Sequence, residues 1–433
     1  MAHISGINGV DGRLVIVKEA NWEVEYNEEM LANTTTGYSV EVSGGTKLVF
    51  YRNNEGEIES YGKVMYAGDP AKVIGPYTIL STAYSDKTST TFCSRLGRVI
   101  SGYEKGADIG STLYYRLVDT RNDILVIGSE TYNGWGPTLK SDCVIDTESG
   151  HLVVGFVSND GNTIGKCGVH ELYLDSYVNS TLTNFTSDSI YSVKVVNIPN
   201  SSKVAFVYTS NSDEVKITVG SVVFEEYWGS DQWYVKIDEE PVLVSSNNCS
   251  DVDAVYDTDT NKLIITYLNN TTSNIEYRLC TVNNDSSVTF GDVDILVYDA
   301  QYPSITYDSI SQKVALTYMN GTSYAGEVVI GSVSGYDITN IGVPYEFCDD
   351  MSDNDSVFDE NSGKIVISYY NYSVSNGSAV SGKITGNTIT FDSPEIFDTS
   401  PPTNISSVYD SDNKIVIVTY RAGGEIRLIN IRL

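Results

Sequence analysis

Four segments in the C-terminal half of this 433-residue chain read alike, and their closing tyrosines, Tyr267, Tyr318, Tyr369 and Tyr420, stand 51 residues apart each time. Residues 255–267, 306–318, 357–369 and 408–420 each run from Tyr-Asp or Phe-Asp through a few turn formers into an apolar stretch that ends on Ser-Tyr or Thr-Tyr. Weaker copies end at Tyr208, Phe156, Tyr103 and Tyr51, at spacings of 59, 52, 53 and 52. A repeat of this length, carried eight times, restricts the chain to a stack or ring of identical small units.

Each unit reads as strands. The stretch Leu263, Ile265, Tyr267 alternates with Ile264 and Thr266 and is bounded by Asp, Asn and Thr, which is the hairpin pattern. Third and fourth strands follow, as in residues 275–282 and 287–290. A four-stranded sheet of about fifty residues cannot bury both faces alone. Setting such sheets around an axis solves the problem, so the expected fold is an all-β propeller. A β-solenoid would use shorter coils. The count predicts eight four-stranded blades, or seven if the first copy belongs to an N-terminal element. The last copy stops at Leu433 after its third strand, so a strand from residues 13–26 is expected to complete that sheet and remove two open edges. The domain reading is therefore residues 1–37 as an N-terminal segment with the ring-closing strand, and 38–433 as propeller repeats.

Composition narrows the function. Lys and Arg number 27 against 57 Asp and Glu, a net charge of −30 that repels phosphate backbones and anionic lipid, so neither nucleic acid nor a membrane surface is an expected partner. Hydrophobic residues at 41% suffice for a core, and no 18-residue apolar run is present to insert into a membrane. The start, Met1-Ala-His-Ile-Ser-Gly, lacks a basic region ahead of an apolar stretch, which argues against a secretion signal. Six cysteines without a Cys-x-x-Cys pair are expected to be buried free thiols, as a cytoplasmically made chain would have.

Chemistry is sparse in the motifs. The column Asp146, Asp257, Asp308, Asp359, Asp410 places oxygen donors in turns, but a calcium loop beginning at Asp257 would want Gly sixth and Glu twelfth, where Lys262 and Leu268 stand. Asp side chains also cap tight turns, and that is the expected role, with no metal. Residues 158–163, Ser-Asn-Asp-Gly-Asn-Thr, fall short of a sialidase-type turn and lack its Trp. No nucleophile elbow, phosphate loop or zinc motif occurs, and three histidines support no relay, so neither a catalytic residue nor a cofactor is assigned and the chain is expected not to be an enzyme.

The eight-residue excess of the fourth copy is the more informative departure. It coincides with Glu225-Glu-Tyr-Trp-Gly-Ser-Asp-Gln-Trp-Tyr234, which holds two of the four tryptophans. Tyr227, Trp228 and Trp233 are expected on a blade-connecting loop outside the ladder. With Asp231 and Tyr234 there, and Trp135 in Tyr132-Asn-Gly-Trp-Gly-Pro137, they are the candidate binding residues. Aromatic faces beside carboxylates and amides suit sugars; the competing reading is that the rings cap a blade or fill a subunit contact.

The core Tyr-Asp…Lys-Ile-Val-Ile-Ser-Tyr, followed by Gly-Ser-Val-Ser-Gly-Tyr-Asp-Ile-Thr at 331–339 or Gly-Lys-Ile-Thr-Gly-Asn-Thr-Ile-Thr-Phe at 382–391, resembles propeller repeats of structural and tail-associated proteins of tailed bacteriophages, especially those of aquatic bacteria. The resemblance covers 250–433 well and 38–249 loosely. The opening residues, with Trp22-Glu-Val-Glu-Tyr26, are similar to the start of phage tail-tube and capsid-decoration proteins. The resemblance implies a non-enzymatic virion protein of the tail, fibre or decoration apparatus, assembled in host cytoplasm, present in multiple copies and contacting other virion proteins. A host-surface glycan or receptor is the further partner implied. A carbohydrate-binding, lectin-like propeller is the alternative, and a glycan-degrading enzyme a third reading.

Overall fold

The computed structural model describes residues 72–433 except 83–87, 106–111, 122–124, 160–162, 174–176, 180 and 228–229; ahead of residue 72 it describes the backbone of five short strands. Every element among them is a β-strand, as the alternating, β-branched sequence demands. From residue 72 on, the described strands form seven antiparallel sheets around an axis. Their innermost strands are Thr88–Cys93, the second halves of Thr131–Ile145 and Thr183–Ile198, then Cys249–Asp257, Ala300–Asp308, Met351–Asp359 and Thr403–Asp410, here numbered as blades one to seven. The two long strands serve two blades each. Thr131–Ile145, for example, pairs with Thr112–Asp119 of blade one at its start and with Leu152–Ser158 of blade two at its end.

Seven apolar clusters hold the ring, and each is built from two neighbouring blades. The cluster joining blade seven to blade one, with Ile417 and Leu428 against Val99 and Tyr103, closes the circle. Thr88 Oγ1 also donates to the carbonyl of Asn404 across that seam. The closing aromatics of seven copies, Tyr103, Phe156, Tyr208, Tyr267, Tyr318, Tyr369 and Tyr420, are all fully buried in these layers.

Two expectations need correction. From residue 72 on, the described strands make seven sheets, the alternative count, and the apolar layer between blades seven and one closes the circle without the first copy, whose strands Tyr38–Val42, Thr46–Arg52 and Ile58–Tyr61 form a sheet of their own. The strand that completes the last sheet is Lys72–Ser81, which pairs antiparallel with Glu425–Arg432. Within 13–26, Ile16–Val17 pairs with Val24–Glu25 instead. The physical reason is length. The described strands of 13–26 are two residues long each, and the rest of that stretch lies outside the described residues, whereas Lys72–Ser81 spans ten, buries Val73 and Leu80, and lays Tyr77 under the Arg427 guanidinium at 3.9 Å. Its Gly75-Pro76 pair falls at a register shift, where an edge strand tolerates a missing N–H.

The repeated Tyr-Asp pair stitches the ring together. Asp308 Oδ1 accepts from the N–H groups of Ile310 and Ser311, both at 2.9 Å, and Asp257, Asp359 and Asp410 do the same in their own turns. The preceding tyrosine reaches sideways: Tyr307 donates its hydroxyl to Asp259 in the turn of the blade before. Nearer the axis, Asp142, Asp253 and Asp355 each accept a backbone N–H from the next blade, at Val195, Ile305 and Ser407.

Candidate functional site

The residues that repeat are used by the fold. Asp257, Asp308, Asp359 and Asp410 of the turn column accept from the backbone N–H groups of their own turns, which is the capping role. All six cysteines are free and buried. Function has to be sought where blades depart from the pattern.

One departure faces the axis. At the position of Asp253, blade three carries Lys194, whose ammonium lies 2.9 Å from Asp253. Burial works against its charge, yet Asp253, Asp142 and Asp355 outweigh that and hold it above the ordinary lysine range. Since those carboxylates belong to blades four, two and six, Lys194 projects toward the middle of the ring. Burial pushes the Asp355 carboxyl up to about 7, against the pull of Lys194. This group is an internal counterion to the carboxylates that staple the blades.

The second departure is the aromatic excess. Its described residues lie in the ladder and not on a loop outside it. Val215–Tyr227 and Ser230–Ile237 make one long hairpin of blade three, with Phe224 opposite Trp233, Glu225 opposite Gln232, Glu226 opposite Asp231 and Tyr227 opposite Ser230. The expectation failed because the stretch alternates like any strand, and eight surplus residues lengthen a hairpin as readily as a loop. Trp233 is half-buried against the core shared by blades two and three, Tyr234 is buried, and Asp231 is exposed. Trp228 lies outside the described residues, as do the side chains of Trp135 and Tyr227.

Trp233 reaches blade two at one point. Its ring meets His151 edge-on, centroids 4.8 Å apart, and Gln232 beside it accepts a hydrogen bond from Thr181 at 2.9 Å. His151 occupies the place where Arg98, Lys203, Lys262, Lys313 and Lys364 begin the second strand of other blades. Those cations reach polar groups beyond their own strand; Lys313, for instance, bonds Ser332 and Asn387. Here the imidazole is only 7% exposed, and burial, seconded by the Arg95 guanidinium, pushes its pKa below the ordinary histidine value. Arg95 itself binds the carbonyls of Gly150 and Leu172. Leu152 pairs with His170, which sets Glu171 opposite His151 and the exposed Tyr173 two residues further along.

The same turn is incompletely satisfied. Asp146 Oδ2 accepts from the Ser149 N–H, but Asp146 Oδ1 and His151 Nδ1 are buried without a hydrogen-bond partner among the described residues. Asp146, His151, Glu171, Tyr173, Gln232 and Trp233 thus gather at one corner of blades two and three. Sequence reading found the Trp and missed the imidazole, although aligning the Lys column would have exposed it.

Seven four-stranded blades sealed by a strand from the other end of the chain define a β-propeller, and solved propellers are what the chain is similar to. A lectin from Burkholderia pseudomallei superposes with a TM-score of 0.59 at 8% identity, covering 82% of this chain and 96% of that one. The WD40 domain of coronin from Toxoplasma gondii gives 0.52 at 11% identity, with 84% and 86% covered. A periplasmic gluconolactonase of Pseudomonas aeruginosa gives 0.51 at 10%, with 82% and 93% covered. At such identities the likeness is one of fold. No family model and no curated protein matches the chain.

Proposed function

We propose that the protein is a non-enzymatic, carbohydrate-binding propeller, with the sugar held at the corner of blades two and three. The observation that carries this reading is a coincidence in space. The one long insertion of the repeat, the one exchange of the Lys-column cation for an imidazole, and an unsatisfied turn carboxylate meet around Trp233. Departures from an otherwise consistent pattern are where function is expected to sit. The rings of Trp233 and Tyr173 offer apolar faces, while Glu171, Gln232 and the exposed Arg95 supply acceptors and donors for hydroxyls. The fold likeness to a bacterial lectin is compatible with this use.

Glycan-array screening followed by calorimetry on the best binder tests the proposal. Tyr173→Ala and Glu171→Gln, both at the surface, are expected to weaken binding about tenfold each, the scale of one stacked ring or one charged hydrogen bond. An array without a binder, or binding that both variants leave intact, would overturn it. Release of reducing sugar from the bound glycan would refute the non-enzymatic part.

The resemblance of residues 250–433 to phage tail-associated repeats supports a second, compatible reading. The disc would be a virion component of the tail, fibre or decoration apparatus, assembled in host cytoplasm in multiple copies beside other virion proteins, and the glycan would be a host-surface one. Mass spectrometry of purified particles decides it, since a free lectin would be absent from them.

A further inference from the structure

The two ends of blades four to six differ in where their cations lie. The cations that start second strands, Arg98, Lys203, Lys262, Lys313 and Lys364, all lie at the end that also holds the His151–Trp233 corner. The opposite end consists of the turns between second and third strands and the links into inner strands. In blades four to six these are residues 246–251, 270–273, 298–302, 321–325, 349–353 and 372–375, and they contain no lysine, arginine or histidine. They do contain Asp251, Asp299, Asp349, Asp350 and Asp353.

The same loops expose aromatic rings. Tyr298 is 72% exposed, Tyr372 59%, Tyr324 56% and Tyr302 40%. Hydrogen bonds tie the loops into one surface. Asp299 accepts from Gly321 and Thr322, the Tyr324 carbonyl accepts from Met351, and Asp350 and Asp349 accept from Tyr372 and Ser373. Tyr302 sits within the field of Asp251 and Asp353, its equivalents one blade to either side; together with burial they raise its pKa. All three hold positive φ, from 47° to 56°, at the same repeat position.

Exposed tyrosine rings among carboxylates, with no cation of their own, are complementary to a cationic chain. A ring face attracts an ammonium or guanidinium, and a neighbouring carboxylate adds to the attraction. We propose that this end of blades four to six docks a Lys- and Arg-rich polypeptide segment of a partner protein. The docking is independent of the sugar corner, which lies at the other end of the ring.

The test uses the full chain and a short Arg-Gly repeat peptide as probe, titrated by calorimetry at physiological salt. Tyr324→Ala with Tyr372→Ala, which leaves the charge unchanged, is expected to weaken binding about tenfold from two lost ring contacts. Asp299→Asn with Asp349→Asn should weaken it comparably, and Glu360→Gln with Asp412→Asn, the same charge change at the opposite end, should not. Equal loss from both acidic pairs with no loss from the tyrosine pair would show attraction to net charge alone and overturn the proposal, as would a wild-type chain that ignores the peptide. If the double tyrosine variant melts early, Tyr298→Ser replaces it. An array glycan whose binding depends on these tyrosines, with no peptide binding, would also overturn it.

Discussion

Replacing Asp308 measures what the turn column contributes. The side chain is 2% exposed, and it serves three donors: the N–H groups of Ile310 and Ser311 on one oxygen and the Ser311 hydroxyl on the other. Asp308→Ala strips both amides of their acceptor in a turn that is half shielded from water. Leaving a buried donor unpaired costs about 1–3 kcal/mol, so two partly shielded ones should cost about 2–4 kcal/mol. Asp308→Asn keeps a side-chain oxygen in the same place and loses only the charge assistance, about 1 kcal/mol. Urea unfolding followed by fluorescence should show the midpoint falling in that order while the slope stays constant, since the surface exposed on unfolding is unchanged. An Asn variant as damaged as the Ala variant would refute the capping argument, because it would mean that charge and not acceptor placement matters. An Ala variant within about 0.5 kcal/mol of the parent would refute it too, by the scale of ordinary surface substitutions.

Three other outcomes are expected. Because the Asp355 carboxyl is raised to about 7, the folded protein holds that proton more tightly than the unfolded chain; its contribution to stability is complete below about pH 4 and is lost as pH rises toward 7. Melting temperatures of Asp355→Asn should accordingly gain on the parent at pH 8 relative to pH 5, and a constant difference would contradict the assignment. Deleting residues 1–71 should leave the ring's melting transition in place, whereas deleting 1–82 removes Lys72–Ser81 and should abolish it or lower it sharply; equal melts would show that the seal lies elsewhere. Thiol titration should find little reaction in the native state and six equivalents in denaturant, since burial pushes Cys143, Cys280 and Cys348 up to about 12 and Cys249 to about 11.

The blades were legible because their stitching residues repeat. In blades four to seven an Asp caps its own turn, as Asp308 does, and Tyr307 reaches sideways to Asp259, so the letters recur there at the period of the blade. The seal was not legible. Lys72–Ser81 has no Tyr-Asp cue, since it begins no inner strand and caps no turn, and its Gly-Pro interruption disguises a strand that needs few N–H donors at an edge. The first copy was legible as strands alone: its alternation makes Tyr38–Val42 and Thr46–Arg52, which pair with each other. At the candidate site, Trp233 was visible by size and rarity, while His151 mattered only through the cation it replaces and the ring it meets edge-on.

The seal at blade seven joins residues 72–81 to residues 425–432, the longest sequence separation among the described strand pairs. On the ribosome the inner blades can stack in order as they emerge, each covering the one before. Blade seven, however, stays unsealed until Glu425–Arg432 emerges, and its partner strand, made before every blade of the ring, must wait. During that interval the unpaired edge of Glu425–Arg432 and the unpaired Lys72–Ser81 seek each other, in one molecule or in two. Crowded synthesis would therefore favour exchange of this strand between nascent chains, and a chain cut short before Leu433 would keep both edges open for good.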